Sequence, residues 1–298
     1  MTSKLVPPRP EDVMVIRKIQ PDIITLNVPF YRFGYVRIGG RCTVGMKNLE
    51  RMTMDDVKVF RIYANGIIAV RLQSGSLAVF SPVALTPDAR EAVNSLGGNV
   101  KYIIAPDMEH HLFVTPWKGA YPNAQIIAPE GLKEKCKKNP ETKGVGFDHI
   151  FTAANKRTLK VSDEFHTDFD VEYVNSHPSR EIVLLHKPSK TLIEADLLFN
   201  LPATEQFSKS GESATQGIVT KIFNAIQTTK PPAMGQKRFI WYLLSAKDRK
   251  GFAQSAATIE GWDFDRIIPC HGDVIERGGK EIFRNLFEWN LEAAKKQT

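Results

Sequence analysis

The sequence predicts an α/β protein in which two β-sheets pack face to face with helices on the outside. Two observations carry that expectation. Each half of the 298-residue chain runs from apolar β-hairpins into helical segments, and four of its apolar strands end abruptly in histidines and carboxylates. With 42% apolar and 24% charged residues, the composition is that of a globular protein long enough to bury a large core, which excludes the disordered and fibrous classes.

Taken in order, residues 1–30 are rich in proline and mixed charge and read as an extended arm. Residues 31–65 read as additional strands, at Tyr35 to Val44 and Val59 to Ala64, with a loop or short helix over Lys47 to Lys58 between them. Ile67 to Leu72 and Leu77 to Phe80 flank Gln73-Ser74-Gly75-Ser76, the turn chemistry of a β-hairpin. Thr86-Pro87-Asp88 opens a helix that Gly97-Gly98 stops. Tyr102 to Ala105 is a buried strand. The apolar stripe of Leu112, Phe113, Val114 and Trp117 follows, then a turn at Tyr121-Pro122-Asn123, a strand from Gln125 to Ala128 and a helix from Pro129 to Lys138. Asn139 to Gly146 marks a mid-chain boundary. Beyond it, strands are expected at Phe165 to Phe169, Val171 to Val174, Ile182 to Leu185 and Thr191 to Ala195, the last two joined at Pro188-Ser189. Leu201 to Gly217 reads as a polar loop and a candidate substrate lid. Helical periodicity covers Thr220 to Gln227, Trp241 to Ala246, Arg249 to Glu260 and Lys280 to Lys296, with a strand from Phe264 to Pro269.

The net charge of +7 is scattered, and Lys133, Lys135, Lys137 and Lys138 read as a solvated helix face, so no nucleic-acid partner is expected. The chain has no apolar run of spanning length and no signal-peptide core, and Cys42, Cys136 and Cys270 are not spaced for a disulfide framework or zinc finger. A cytoplasmic location with no membrane partner is the corresponding expectation. Oligomeric state is open.

Chemistry is concentrated at the four strand ends. Asp107-Met108-Glu109-His110-His111 follows the first, Asn175-Ser176-His177-Pro178 the second, Glu194-Ala195-Asp196 closes the third, and Pro269-Cys270-His271-Gly272-Asp273 the fourth. Imidazole and carboxylate are the usual ligands of a hydrolytic zinc or iron, and a catalytic site needs about three of them plus an open position. Taken singly, Asp107 or Asp196 could equally cap a helix, Glu109 face solvent, and Cys270 be a small buried residue. His149, His166 and His186 lack this setting and read as structural or surface residues.

The order of these motifs resembles the metallo-β-lactamase fold superfamily, with its His-x-His-x-Asp-His loop, later Gly-His segment, strand-end Asp and C-terminal Pro-x-His-Gly. The resemblance covers about residues 60 to 275. More narrowly, Ala105 to His111, Glu194 to Pro202 and Ile268 to Asp273 look like the fungal branch called DUF4336, which brings no settled reaction with it. The resemblance implies a single αββα sandwich domain over residues 1–298 with an N-terminal β extension. Pro106 and Met108 stand where the superfamily has its early histidines, and His110 where it has the aspartate; only His111 matches residue for residue. Carried across, His110, His111, Asp196 and His271 would hold one divalent metal with His177 near it, zinc first, iron or manganese next. The implied activity is hydrolysis of a small-molecule ester, thioester, lactone or amide, with Asp107 or Glu109 moving the proton. A non-hydrolytic metalloenzyme (an iron oxidoreductase, lyase or isomerase) and a metal-free binding module are the alternatives the fold would also accommodate.

Overall fold

The computed structural model describes residues 9–40, 67–140 and 142–297. A helical turn, α1 (Pro10–Val13), leads into an antiparallel pair, β1 (Val15–Gln20) and β2 (Ile23–Asn27), and a small hairpin of β3 (Tyr31–Arg32) and β4 (Val36–Arg37). Next come the hairpin β5 (Ile67–Arg71) and β6 (Leu77–Phe80), α2 (Pro87–Ser95), β7 (Val100–Ile104), α3 (Val114–Ala120), β8 (Gln125–Pro129), α4 (Leu132–Lys137) and β9 (His149–Phe151). The second half holds α5 (Asp163–Asp168), β10 (Phe169–Val174), β11 (Glu181–His186), β12 (Thr191–Ile193), α6 (Thr204–Phe207), α7 (Ile218–Ile226) and α8 (Met234–Phe239). A π-helical turn (Ile240–Leu244), α9 (Arg249–Glu260), β13 (Arg266–Ile268), α10 (Gly279–Leu286) and α11 (Glu288–Lys295) complete it. Seven strands form one sheet in the order β1-β2-β5-β6-β7-β8-β9, and β10-β11-β12-β13 form the other.

Side-chain alternation explains the layering. Along β7, Tyr102 and Ile104 face the layer between the sheets while Ile103 packs under the helices with Val93, Trp117 and Leu132. Along β11, Ile182 and Leu184 face that same middle layer, while Val183 and Leu185 meet Phe252 of α9 and Phe283 of α10. Strands with both faces covered read as continuous apolar runs, which is why they were legible without clean alternation. Helix α2 starts where its sequence says, with the Thr86 hydroxyl accepting from the Ala89 amide.

Several expectations are corrected. Residues 10–27 are no arm: they give α1, β1 and β2, and β2 is wholly buried. The mixed charge belongs to β1, an edge strand whose Lys18 points to water, the usual protection of an open edge, while Arg17 pairs with Glu205 and Glu276. Phe165 lies in α5, whose first turn is capped by the Ser162 hydroxyl; the strand begins only at Phe169. Asn139 to Gly146 links α4 to β9 within one sheet, so the chain changes sheets after Phe151. Lys280 to Lys296 is two helices meeting at Phe287. The strand expected at Val59 to Ala64 and the loop at Lys47 to Lys58 lie outside the described residues, as does Cys42.

Buried Glu172 on β10 ties the second sheet to α9, accepting from Ser255 Oγ (2.6 Å) and Arg157 Nη1 (2.6 Å), with Lys156 Nζ at 3.3 Å. Glu172→Ala strands two cations and a hydroxyl, and we expect a loss of about 2–3 kcal/mol, less than a fully enclosed pair because Arg157 is half-exposed. Urea unfolding reads it as a lower midpoint at constant m; an unchanged midpoint would remove this clasp from what holds α9 in place.

Candidate metal centre

Strand direction brings the polar ends together. β12 and β13 are parallel, and β10 and β12 each run antiparallel to β11, so all three leave the second sheet at one rim. The loop after β7 is fastened to that rim by two backbone hydrogen bonds, Met108 N–H to Ser179 O (2.9 Å) and Ile182 N–H to Pro106 O (2.7 Å). There the donor atoms of His110, Asp196 and His271 lie within 4.8 Å of one another, all three residues buried.

The hydrogen bonds behind the rings fix what they present in front. His110 Nδ1 lies 2.9 Å from both oxygens of Asp107, and His271 Nδ1 lies 2.7 Å from the Gly39 carbonyl. Carboxylate and carbonyl can only accept, so each Nδ1 carries a proton and each ring, when neutral, offers the lone pair of Nε2. Both Nε2 atoms and Asp196 Oδ1 are buried without a hydrogen-bond partner. His271 Nε2 and Asp196 Oδ1 stand 3.2 Å apart, two acceptors facing each other. Tetrahedral bonds of about 2.0–2.1 Å put neighbouring ligand atoms roughly 3.3 Å apart, so the spacing fits a small cation between them.

The surrounding charge points the same way. Burial, with Glu194, Asp107 and Asp196 adding to it, drives the Glu181 carboxyl well above its ordinary range. Burial opposes a charge on His110, but the fields of Asp107 and Asp196 outweigh it and raise its pKa above 6.5. For Asp196, burial is outweighed by the field of His110, which holds its carboxyl well below the usual range. Burial lowers His271. Asp107, Glu181, Glu194 and Asp196 are all buried here. Such a crowd of carboxyls is relieved by a cation.

The other expected site residues lie elsewhere around this group. His111 is not brought into it: the turn at Asp107 takes the amides of Glu109 and His110 (both 2.7 Å) and the His110 ring, while the buried His111 ring lies in the field of Lys135 and its pKa falls to about 3, burial being the larger cause. His177 is also outside it. Its Nδ1 accepts from the Ser179 amide (3.2 Å), which leaves the ring proton on Nε2, and burial lowers its pKa. Asp107, expected as a proton carrier, has its carboxylate committed to His110 and two amides and acts as a positioning residue. Glu109 remains partly exposed, 3.2 Å from Lys135 Nζ; burial raises its pKa against the pull of Lys135. Lys135, read as part of a solvated helix face, reaches back to this loop.

Residues missed in the sequence hold the frame. Glu181 accepts the amides of Ala195 (2.8 Å) and Asp196 (3.0 Å), and Glu194 those of Leu197 (2.8 Å) and Leu198 (3.2 Å), which together fix the turn carrying Asp196. Gln206 bridges the Cys270 carbonyl and the Gly272 amide, both at 3.0 Å. At Gly39, φ +62°, a Cβ would come within 1.9 Å of Gln206 Oε1, so only glycine lets the carbonyl reach His271. The stretch taken as a lid is therefore divided, with Gln206 and Phe207 of α6 buried as support under His271 and residues 208–213 largely exposed. A carboxylate opening an otherwise apolar strand, as at Glu181, is the one available signal.

Among known proteins, a family model described as a domain of unknown function, DUF4336, matches residues 66–210. No curated protein matches the sequence. Solved structures are similar over nearly the whole chain. VMB-1 at pH 5.5 is 12% identical, with a TM-score of 0.55, covering 95% of this chain and 99% of its own. The metallo-beta-lactamase FIM-1 from Pseudomonas aeruginosa in the mono-zinc form is 9% identical, with a TM-score of 0.54 and coverage of 98% and 99%. A metallo-beta-lactamase from Pontibacter korlensis is 10% identical, with a TM-score of 0.51 and coverage of 93% and 98%. The two sheets, their outer helices and this likeness give the chain the αββα sandwich of the metallo-β-lactamase fold.

Proposed function

We propose that this chain is a metal-dependent hydrolase of the DUF4336 type, with one divalent ion held by His110, Asp196 and His271. The observation that carries the reading is the convergence of two Nε2 atoms and a carboxylate oxygen, each buried and none with a hydrogen-bond partner. Two imidazoles and a carboxylate suit zinc first, then iron or manganese. The mono-zinc form of the similar FIM-1 supports a single zinc as compatible with this fold. Bound there, the ion would supply Lewis acidity, making water nucleophilic at neutral pH and polarising a carbonyl. The substrate class is a small-molecule ester, thioester, lactone or amide.

The chain's own residues divide the remaining work. Asp107 and Gly39 fix the tautomers of the two rings, and Glu181 fixes the Asp196 turn. Asp196, the most accessible of the three donors, marks the open side. Glu109, raised in pKa and partly exposed beside this cluster, is the group placed to carry a proton between the site and solvent. Buried His111 and His177 line the site without joining the ligand set.

Elemental analysis of the purified chain should give about one metal per molecule, falling below about a tenth of that in His110→Ala, Asp196→Asn or His271→Ala with circular dichroism unchanged. His149→Ala, whose Nε2 bonds to Gln125 away from this group, should keep its metal. Full metal content in all three ligand variants would sink the assignment. Because the carboxylates hold a proton on His110 above its ordinary 6.5, an incoming ion must displace it. Affinity should then rise with pH through that raised pKa and flatten beyond it, with a proton released on binding in calorimetry across two buffers; affinity indifferent to pH would contradict the pairing. Glu109→Gln should lower kcat on activated esters or lactones by about 10²–10³-fold while keeping the metal. Undiminished turnover would free Glu109 of that role.

A further inference from the structure

Helix α7 is built inside out. Its polar Thr220 and Asn224 are buried, Thr220 Oγ1 accepting from the Arg37 amide (3.2 Å) and donating to the Tyr35 carbonyl (3.4 Å), and Asn224 Nδ2 donating to the Ala214 carbonyl (3.3 Å). Its aliphatic side chains face water: Ile218 is 76% exposed, Ile222 56% and Ile226 40%, spaced i, i+4, i+8 along one stripe, with Val219 at 47% beside them. A surface helix of a globular protein normally does the reverse. Exposed Phe33 and Tyr35 extend this surface from the β3–β4 turn that packs on α7, and Met234 extends it beyond Ile226, against whose backbone Gly235 lies. A cleft of about 570 Å³ between α7 and the following segment is lined by Leu201, Pro202, Lys221, Lys230, Pro231 and Met234.

Apart from Glu212, which pairs with Arg37 at the start of α7, the charge along this segment is positive. Residues 213–247 contain no aspartate or glutamate, while Lys221, Lys230, Lys237, Arg238 and Lys247 supply five positive charges of a chain whose net charge is +7. Lys237 is paired with Glu288; the other four are exposed. Apolar side chains rimmed by unopposed cations are complementary to a surface with hydrocarbon beneath negative charge. A second copy would set the same cations against each other. The chain outside the described residues is net basic as well, since residues 41–66 carry five basic residues against Glu50, Asp55 and Asp56, and residues 1–8 add Lys4.

We infer that α7 and the β3–β4 turn form a docking face for an anionic lipid bilayer, on which the protein lies as a peripheral guest. Among the described residues no helix is long and apolar enough to cross a membrane, so the contact is with the interface. This departs from the expectation of no membrane partner, and it rests on observations separate from the metal centre. The face meets that centre through Asn200, four residues beyond Asp196, whose side chain accepts from Thr229 Oγ1 (2.7 Å).

Co-sedimentation of the full chain with vesicles tests the inference. Binding is expected to vesicles of phosphatidylcholine with about 30% phosphatidylserine, about tenfold weaker to phosphatidylcholine alone, and weakened by salt. Ile218→Asp with Ile222→Asp, and separately Lys221→Glu with Lys230→Glu, should each cut binding about tenfold or more at unchanged melting temperature. The lysine pair, altered only at solvated side-chain ends, serves if the isoleucine pair melts early. Absence of binding to the anionic vesicles, or undiminished wild-type binding by both double variants, overturns the inference. So does a wild-type dimer that the isoleucine variant dissociates without loss of vesicle binding, which would give the face to a second copy.

Discussion

Two acceptors that face each other at 3.2 Å are the constraint on which this structure turns. The Gly39 carbonyl takes the only proton a neutral His271 ring has, so its free nitrogen meets Asp196 with a lone pair against a negative oxygen. Left alone the arrangement is repulsive, and burial removes the water that would soften it. It persists because each participant is held from behind: the ring by Gly39 and by stacking on Phe199 at 5.3 Å, the carboxylate by the two amides that Glu181 clasps. The protein thus spends packing and hydrogen bonds on holding an unfavourable meeting open, which is what preorganisation for a cation requires.

The middle layer makes this possible. Tyr102, Ile104, Ile193 and Ile268 all pack between the sheets, so the strands that deliver His110, Asp196 and His271 share one rigid core. A displacement of one strand would be resisted by the others, because close-packed interiors deform in steps rather than continuously. Burial then does electrostatic work. It pushes Glu181 up and His271 down, while mutual attraction pulls Asp196 down and His110 up. Opposed shifts within one cluster mean that the groups are tuned to each other more than to solvent.

Much of this was legible in the sequence. Strands buried on both faces announce themselves as apolar runs, so β5 to β8 and β11 to β13 stood out, and the polar residues at their tips marked the site. Choosing between His110 and His111 was beyond the linear text, because the choice is made by the Asp107 turn, which captures the ring of one and leaves the other beside Lys135. The same holds for Gly39 and His271, 232 positions apart, and for Gln206, whose partners are backbone atoms of a distant loop. Residues 15–27 were misread because charge on an edge strand looks like charge on a free arm. Periodicity identified α7 as a helix but not which side is inward, since that depends on whether Thr220 and Asn224 find partners.

The tie between His271 and Gly39 has a further consequence for how the chain divides. The stretch that matches the family model, residues 66–210, contains His110 and Asp196 but neither His271 nor the carbonyl that orients it. A fragment trimmed to that stretch would keep the first sheet's centre and two of the three arms, yet lose the third arm together with its hinge pin. The centre is wired between the outermost portions of the polypeptide, and grafting the middle onto foreign ends would yield scaffolding without a grip.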